Sequence, residues 1–257
     1  MTFLRQSFFL AIRDIRALLR QPWFVALTVF QPILSLTLYG QVFQKVADLP
    51  GAGQLSYIAY IAPGMIILTG LFSGSWHGMA ILRELERGTF DRFLICPVAR
   101  SAIFTGRIVA LNSVIVIQAL LLIIVARLMG AHFAGWSAGI CILLFNTVLL
   151  SSSSSLVSNG VALLIRREES LLCLSNFAVL PLAFLSSVFM SENLMPHWIG
   201  ALCRFNPVNW GVASARQTLS AHGSATSLWT SVSGLIIVLL VSAGFMSCAF
   251  AIYRRSA

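Results

Sequence analysis

The chain has 257 residues, of which 58% are hydrophobic and 10% charged. Soluble domains carry about 25% charged residues, so a water-exposed globule would lack polar surface here and the chain reads as an integral membrane protein. The net charge of +9, from 17 Lys+Arg against 8 Asp+Glu, would suggest nucleic acid in a soluble protein. In a membrane protein it reflects cationic loops on the cytoplasmic side facing an anionic leaflet, and nucleic acid is not an expected partner.

Leu4, Phe8, Ala11, Ile12, Ile15, Leu18 and Leu19 recur at helical spacing over residues 3–20, with Arg5, Arg13, Arg16 and Arg20 on the polar side. This predicts an amphipathic helix lying in the membrane interface over 1–21, and its alternation of apolar and basic residues is not that of a cleavable signal. Six apolar stretches follow, near 22–43, 57–82, 104–126, 138–165, 171–190 and 228–252. Each is close to the ~20 residues a membrane crossing needs. Pro32 falls inside the first, where neighbouring helices can satisfy the freed carbonyl, and the fourth is long enough to tilt or protrude.

Charge sets the orientation. Arg5, Arg13, Arg16, Arg20, Arg83, Arg87, Arg92, Arg100, Arg107, Arg166, Arg167, Arg254 and Arg255 fall on one side, and Lys45, Arg127, Arg204 and Arg216 on the other. A split of 13 against 4 puts both termini in the cytoplasm, as an even number of spans requires. The outer segment 191–226 mixes apolar residues with Pro196, Pro207, Asn206, Asn209, Trp198 and Trp210. It reads as short helices dipping back into the outer leaflet, a re-entrant hairpin before the last span, with its tryptophans at headgroup level. The five cysteines show neither a CxxC pair nor metal-ligand spacing and read as small hydrophobes.

The densest charge lies between the second and third spans. Arg83, Glu84, Glu86, Arg87, Asp91 and Arg92 alternate in sign, Gly88 offers a bend and Thr89 a cap. Phe90, Phe93 and Leu94 add apolar anchors. Apolar anchors for affinity and charges for register are what docking on a soluble partner needs; a solvated turn with self-paired charges is the plainer alternative. Arg166-Arg167-Glu168-Glu169 is a second such turn. Gly70, Gly74 and Gly78, four residues apart, allow close helix approach, and the run Ser151 to Ser155 can bond neighbouring helices or its own carbonyls. His77, Asn112, Gln118, Asn146, Asn159 and Asn176 lie at membrane depth, but no Asp, Glu, Lys or Arg sits centrally in a span. An ion-coupled carrier needs titratable groups there, and an intramembrane enzyme needs a reactive constellation such as HExxH; these two classes remain as alternatives. The absence of central charge suits a lipid-like or amphipathic cargo, with Phe30, Gln31, Phe177, Phe184 and Phe189 as candidate path residues; lipid contact or packing is the plain reading of each.

Two motifs then carry a resemblance. One is Glu86-Arg87-Gly88-Thr89-Phe90-Asp91-Arg92-Phe93 with Pro97 and Arg100 after it. The other runs from Asn176-Phe177 and Pro181-Leu182 through Phe184-Leu185-Ser186-Ser187-Val188-Phe189 to Leu194-Met195-Pro196-His197-Trp198 and Asn206-Pro207-Val208. With the six-span plan they make the chain resemble the permease subunits of ABC-2 type exporters, which include drug-resistance, nodulation-factor and polysaccharide permeases. The resemblance implies an all-α integral membrane protein: six transmembrane helices, an interfacial helix at 1–21, a coupling segment at 83–103 and a re-entrant outer segment at 191–226. It also implies a half-transporter in the inner membrane that pairs with a second permease chain and two copies of an ABC ATPase subunit. The G-x-x-x-x-G-K-[ST] phosphate loop does not occur in these residues, so ATP and Mg are expected on the ATPase and no cofactor or catalytic group on this chain. The implied ATPase-coupling residues are Glu84, Glu86, Arg87, Gly88, Thr89, Phe90, Asp91, Arg92, Pro97, Arg100, Arg166, Arg167, Glu168 and Glu169. One departure is Met190-Ser191-Glu192, where family members often carry a proline.

Overall fold

The computed structural model describes residues 12, 22–42, 57–88, 100–131, 133, 136–190, 195–220 and 225–256. Among them lie nine long or short helices: α1 (Pro22–Val42), α2 (Tyr57–Trp76), α3 (Gly78–Glu86), α4 (Arg100–Leu128), α5 (Trp136–Ile165), α6 (Glu168–Phe184), α7 (His197–Cys203), α8 (Pro207–Leu219) and α9 (Ala225–Ser256). The interfacial helix expected at 1–21 falls outside the described residues apart from Ile12.

Four stretches have the length and apolarity to cross a membrane: Tyr57–Glu86, Phe104–Leu128, Ala138–Ile165 and Leu228–Tyr253. They coincide with four of the six expected spans. The helix α1 has 21 residues with Pro32 inside, while α6 has only 17, a rise of ~25 Å against a hydrocarbon core of ~30 Å. The apolar run expected to be helical as far as 190 stops at Phe184, because Leu185 leaves helical geometry and residues 185–190 form turns.

The bundle is organised around α5, which packs against α2, α3, α4, α6, α8 and α9. Of the four crossing helices, the one built from α2 and α3 is the most buried and α9 the least, so α2 is interior and α9 presents its apolar side outward. The glycines of α2 and of the start of α3 explain the first of these. A methyl on Gly70 would stand 2.7 Å from Thr147 Cγ2, one on Gly74 2.4 Å from the Ser151 carbonyl, and one on Gly78 2.5 Å from the Ser158 carbonyl. The glycine stripe therefore meets the hydroxyl face of α5 within the same chain, backbone against backbone.

The serines serve two purposes there. Ser153 and Ser154 donate to the carbonyls of Leu149 and Leu150 on their own helix, whereas Ser158 reaches across to the Ser75 carbonyl at 2.5 Å, which also accepts from Ser175 at 3.1 Å. Those two cross-helix bonds sit beside a joint. At His77 the backbone ladder tightens to three-residue bonds, His77 N–H to the Gly74 carbonyl and Ala80 N–H to the His77 carbonyl, and α2 gives way to α3. His77 itself meets Ser155 Oγ at 2.9 Å. The 30 residues of Tyr57–Glu86 rise ~45 Å, more than a hydrocarbon core of ~30 Å, and its charged residues Arg83, Glu84 and Glu86 all lie in α3.

Candidate functional site

The helix α3 has two faces. Ile81 and Leu82 are fully buried in a small core with Leu156, Leu163, Leu171, Met246 and Tyr253, while Arg83, Glu86 and Arg87 are exposed. The helix ends at Arg87, and Gly88 takes φ +62 with open space around it. This left-handed conformation suits glycine and turns the chain away at the bend that the sequence predicts.

Among the described residues, two ion pairs tie α3 to its neighbours. Glu84 pairs with Arg107 of α4, and Arg83 Nε lies 3.3 Å from Glu168 Oε1 on the first turn of α6. The two charged segments singled out in the sequence, 83–88 and 166–169, are thus brought together at one end of the bundle. The turn between α5 and α6 is tight: Arg166 adopts φ +56, a region unusual for a side chain of its size, and its guanidinium lies 4.8 Å from the centroid of Tyr253. Glu168 and Glu169 open α6, where carboxylates favour the helix N-terminus. Thr89, Phe90, Asp91, Arg92 and Pro97 lie outside the described residues, and of Arg100 the structure describes only its place at the start of α4.

The opposite end is built on Arg216 of α8. Its Nε donates to the Tyr60 carbonyl at 3.0 Å, Nη1 to the Ser187 carbonyl at 2.7 Å and Nη2 to the Val188 carbonyl at 2.9 Å. The guanidinium also stacks on the Tyr60 ring, 3.6 Å from its centroid, a favourable cation–π geometry. Asn206 completes the arrangement. Its Nδ2 donates to the carbonyls of Leu182 and Leu185 at 2.7 and 2.8 Å, and its Oδ1 caps α8 by accepting from Val208 N–H at 2.9 Å. Asn209 Oδ1 accepts from Ser187 Oγ at 2.5 Å. The end of α6 is therefore held by side chains of α8. Asn206→Ala should remove the cap, worth about 1 kcal/mol, and strand two carbonyls, for a total of about 2 kcal/mol; a fluorescence-detected melt of the detergent-solubilised chain checks it.

Next to this clasp, Phe189 packs between Tyr39 of α1, centroids 5.5 Å apart, and Phe184 of α6, centroids 6.0 Å apart. Phe184 and Phe189 are thus one aromatic cluster. Phe30, Gln31 and Phe177 are exposed on α1 and α6 and lie outside that cluster. Between α2, α5, α6 and α9 a cavity of about 200 Å³ is lined by Leu71, Val157, Leu174 and Val238 with Ser154 and Ser242. Pockets that hold drug-sized ligands measure ~300–1,000 Å³, so this one is small for such a molecule. The deeper polar groups are mostly spent on one another: Asn112 donates to Ser152 Oγ at 2.8 Å and accepts from Ser151 at 2.6 Å, and Asn146 donates to Ser214 Oγ at 2.7 Å.

Sequence reasoning used Arg107 and Arg216 as topology charges and Asn209 as part of the outer segment, and gave none of them a site role. A profile of the family described as ABC-2 type transporter matches residues 5–220. The daunorubicin resistance ABC transporter permease protein DrrB1 of Streptomyces coeruleorubidus is 22% identical over 220 residues, 85% of this chain and 74% of that one. The protein named transport permease ycf38 of Cyanophora paradoxa is 25% identical over 224 residues, covering 86% and 76%. The inner membrane transport permease YadH of Escherichia coli (strain K12) is 23% identical over 230 residues, covering 84% and 83%.

Proposed function

Because this chain belongs to the ABC-2 type transporter family, we propose that it is the membrane permease subunit of an ATP-driven exporter whose cargo is amphipathic or lipid-linked. An ABC ATPase, two copies per transporter, supplies ATP, Mg and hydrolysis, and this chain supplies the pore. In this reading α1, α2 with α3, α4, α5, α6 and α9 are the six spans, α7 and α8 form the re-entrant outer segment, and both termini face the cytoplasm of a cell whose inner membrane holds the protein. The relatives' names, which include a drug-resistance permease and an inner membrane permease, agree with it.

The observation that carries the proposal is α3. It is a helix that continues the apolar stretch of α2 with a charged end, exposes Glu86 and Arg87 at its tip, turns at Gly88 and is tied to the second charged turn through Arg83 and Glu168. Such a tip gives a soluble motor something rigid to grip. The cavity of about 200 Å³ supports a two-chain pore, since a bulky cargo needs the wider space that a second permease chain would enclose with this one. The aromatic residues Phe30, Phe177, Phe184 and Phe189 are the surface offered to that space.

Co-purification tests the proposal. The wild-type chain should bring its ATPase subunit through a detergent pull-down, and Glu86→Ala with Arg87→Ala should weaken that capture about tenfold, as loss of a modest interface contact does. Unchanged capture by the double variant removes α3 from the docking surface. Failure of the wild-type chain to bind any ATPase refutes the permease reading.

A further inference from the structure

The geometry points to Arg107 as a positioning residue that makes α4 move with the coupling helix α3. This inference rests on the permease reading above. A positive residue that serves only to mark the cytoplasmic side needs water around it, as Arg83 has with 60% of its side chain exposed. Arg107 is 3% exposed. It lies in the second turn of α4, where Phe104 and Ile108 pack against the small core shared with Ile81 and Leu82 of α3. Taking a guanidinium out of water there is unfavourable unless a partner compensates for it.

Among the described residues, the compensation comes from one atom. Arg107 Nη2 meets Glu84 Oε2, while Nε and Nη1 are buried without an acceptor among the described residues. If Glu84 left, a buried cation would lose its counter-charge, so this contact resists separation. The second ion pair described for α3 is of the opposite kind. Arg83 and Glu168 are 60% and 33% exposed, and an exposed pair contributes little. A push on Glu86 and Arg87 therefore meets a charged, directional link to α4, whereas α6 is held by this exposed pair and by apolar packing of Leu171 against Ile81 and Leu82, which is non-directional and lets the helices slide. With the joint at His77 above them, α3 and the start of α4 swing together, and the Arg83–Glu168 pair opens.

Spin labels on the permease–ATPase complex, in vesicles of phosphatidylcholine and phosphatidylglycerol, test this. On a background without native cysteines, one pair is Ala80→Cys with Val109→Cys, reporting α3 against α4, and the other is Ala80→Cys with Leu172→Cys, reporting α3 against α6. On trapping with Mg-ATP and vanadate, the first distance should stay constant and the second should change by ~2 Å or more, the scale of helix shifts in switching proteins. Arg107→Gln should keep the ATPase bound but let the first distance change, and the charge swap Glu84→Arg with Arg107→Glu should restore it. Wild-type distances in Arg107→Gln overturn the inference while leaving the permease reading intact. So does loss of ATPase binding in that variant, which would make Arg107 part of the docking surface, and so does a swap that fails to restore the constant distance. If Arg107→Gln does not fold, the swap decides alone, with a constant α3–α4 distance supporting the inference and a changing one refuting it. A wild-type chain that binds no ATPase overturns both.

Discussion

Arg216→Met should lower the melting temperature of the solubilised chain by roughly 10 °C. The substitution keeps an unbranched apolar stem beside Tyr60 but removes the donors to the carbonyls of Tyr60, Ser187 and Val188. Hydrogen bonds from a charged donor contribute about 1.5–3 kcal/mol each, and the cation–π contact at 3.6 Å adds about 1 kcal/mol. Part of this is recovered, because the Ser187 carbonyl also accepts from the Tyr60 hydroxyl and because a buried guanidinium no longer has to be kept out of water. A net loss of about 3 kcal/mol at 2–4 °C per kcal/mol gives the stated shift. Arg216→Lys should fall between, since one ammonium cannot span three carbonyls as a planar fork does. Tyr60→Phe keeps the ring and loses the hydroxyl bond to the Ser187 carbonyl, so about 1 kcal/mol is expected. A methionine variant melting like the wild type would show that the α6 end holds without Arg216. In the permease reading the same variant loosens the turn bearing Phe189, which packs on Phe184 and Tyr39.

The parts of the fold that could be read from sequence are those decided within one helix. Apolar length placed α4, α5 and α9 within a few residues, and the glycine spacing of Gly70, Gly74 and Gly78 announced a close approach. It could not name the other side, because the partner face of Ser151, Ser154 and Ser158 is joined to it only in three dimensions. The end of α6 was misread for a related reason. Residues 185–190 continue the apolar run, and the turn there is held by distant side chains: Arg216, Asn206, Tyr57 and Tyr60 take carbonyls that helical amides would otherwise take.

The candidate site divides in the same way. Glu86, Arg87 and Gly88 were legible as an exposed charged tip with a bend. Arg107 and Arg216 were counted merely as charges on one side or the other, since burial of a charge depends on the carboxylate or carbonyl that a distant segment brings. A weak signal existed for each. Arg107 falls three residues inside the apolar run that begins near 104, deeper than a topology marker needs to be. Asn206 followed by Pro207 is the pattern of a helix cap with proline at the first position, which marks the start of α8 without any tertiary information.

The largest effect of a single methyl should come from Gly74→Ala. The added carbon would sit 2.4 Å from the Ser151 carbonyl oxygen and 3.0 Å from Ser154 Cβ. The first of these is backbone of α5, the helix on which the bundle is organised, so it cannot rotate aside as a side-chain tip would. Either α2 moves outward or α5 does, and both carry bonds that hold the joint: Ser158 to the Ser75 carbonyl and Gly78 N–H to Ser158 Oγ. Overpacking of this kind costs about 1–3 kcal/mol, and the cross-helix bonds put Gly74→Ala at the upper end. Gly74→Leu should yield no folded chain. Gly244→Ala on α9 is the matched comparison, because nothing lies within 4 Å of its added methyl and alanine favours a helix over glycine by up to about 1 kcal/mol; it should melt at or slightly above the wild-type temperature. Opposite signs for the two alanines, in the same helical geometry and with the same chemical change, would attribute the loss at Gly74 to the contact with α5. Equal tolerance of both would mean that α2 and α5 are not in backbone contact.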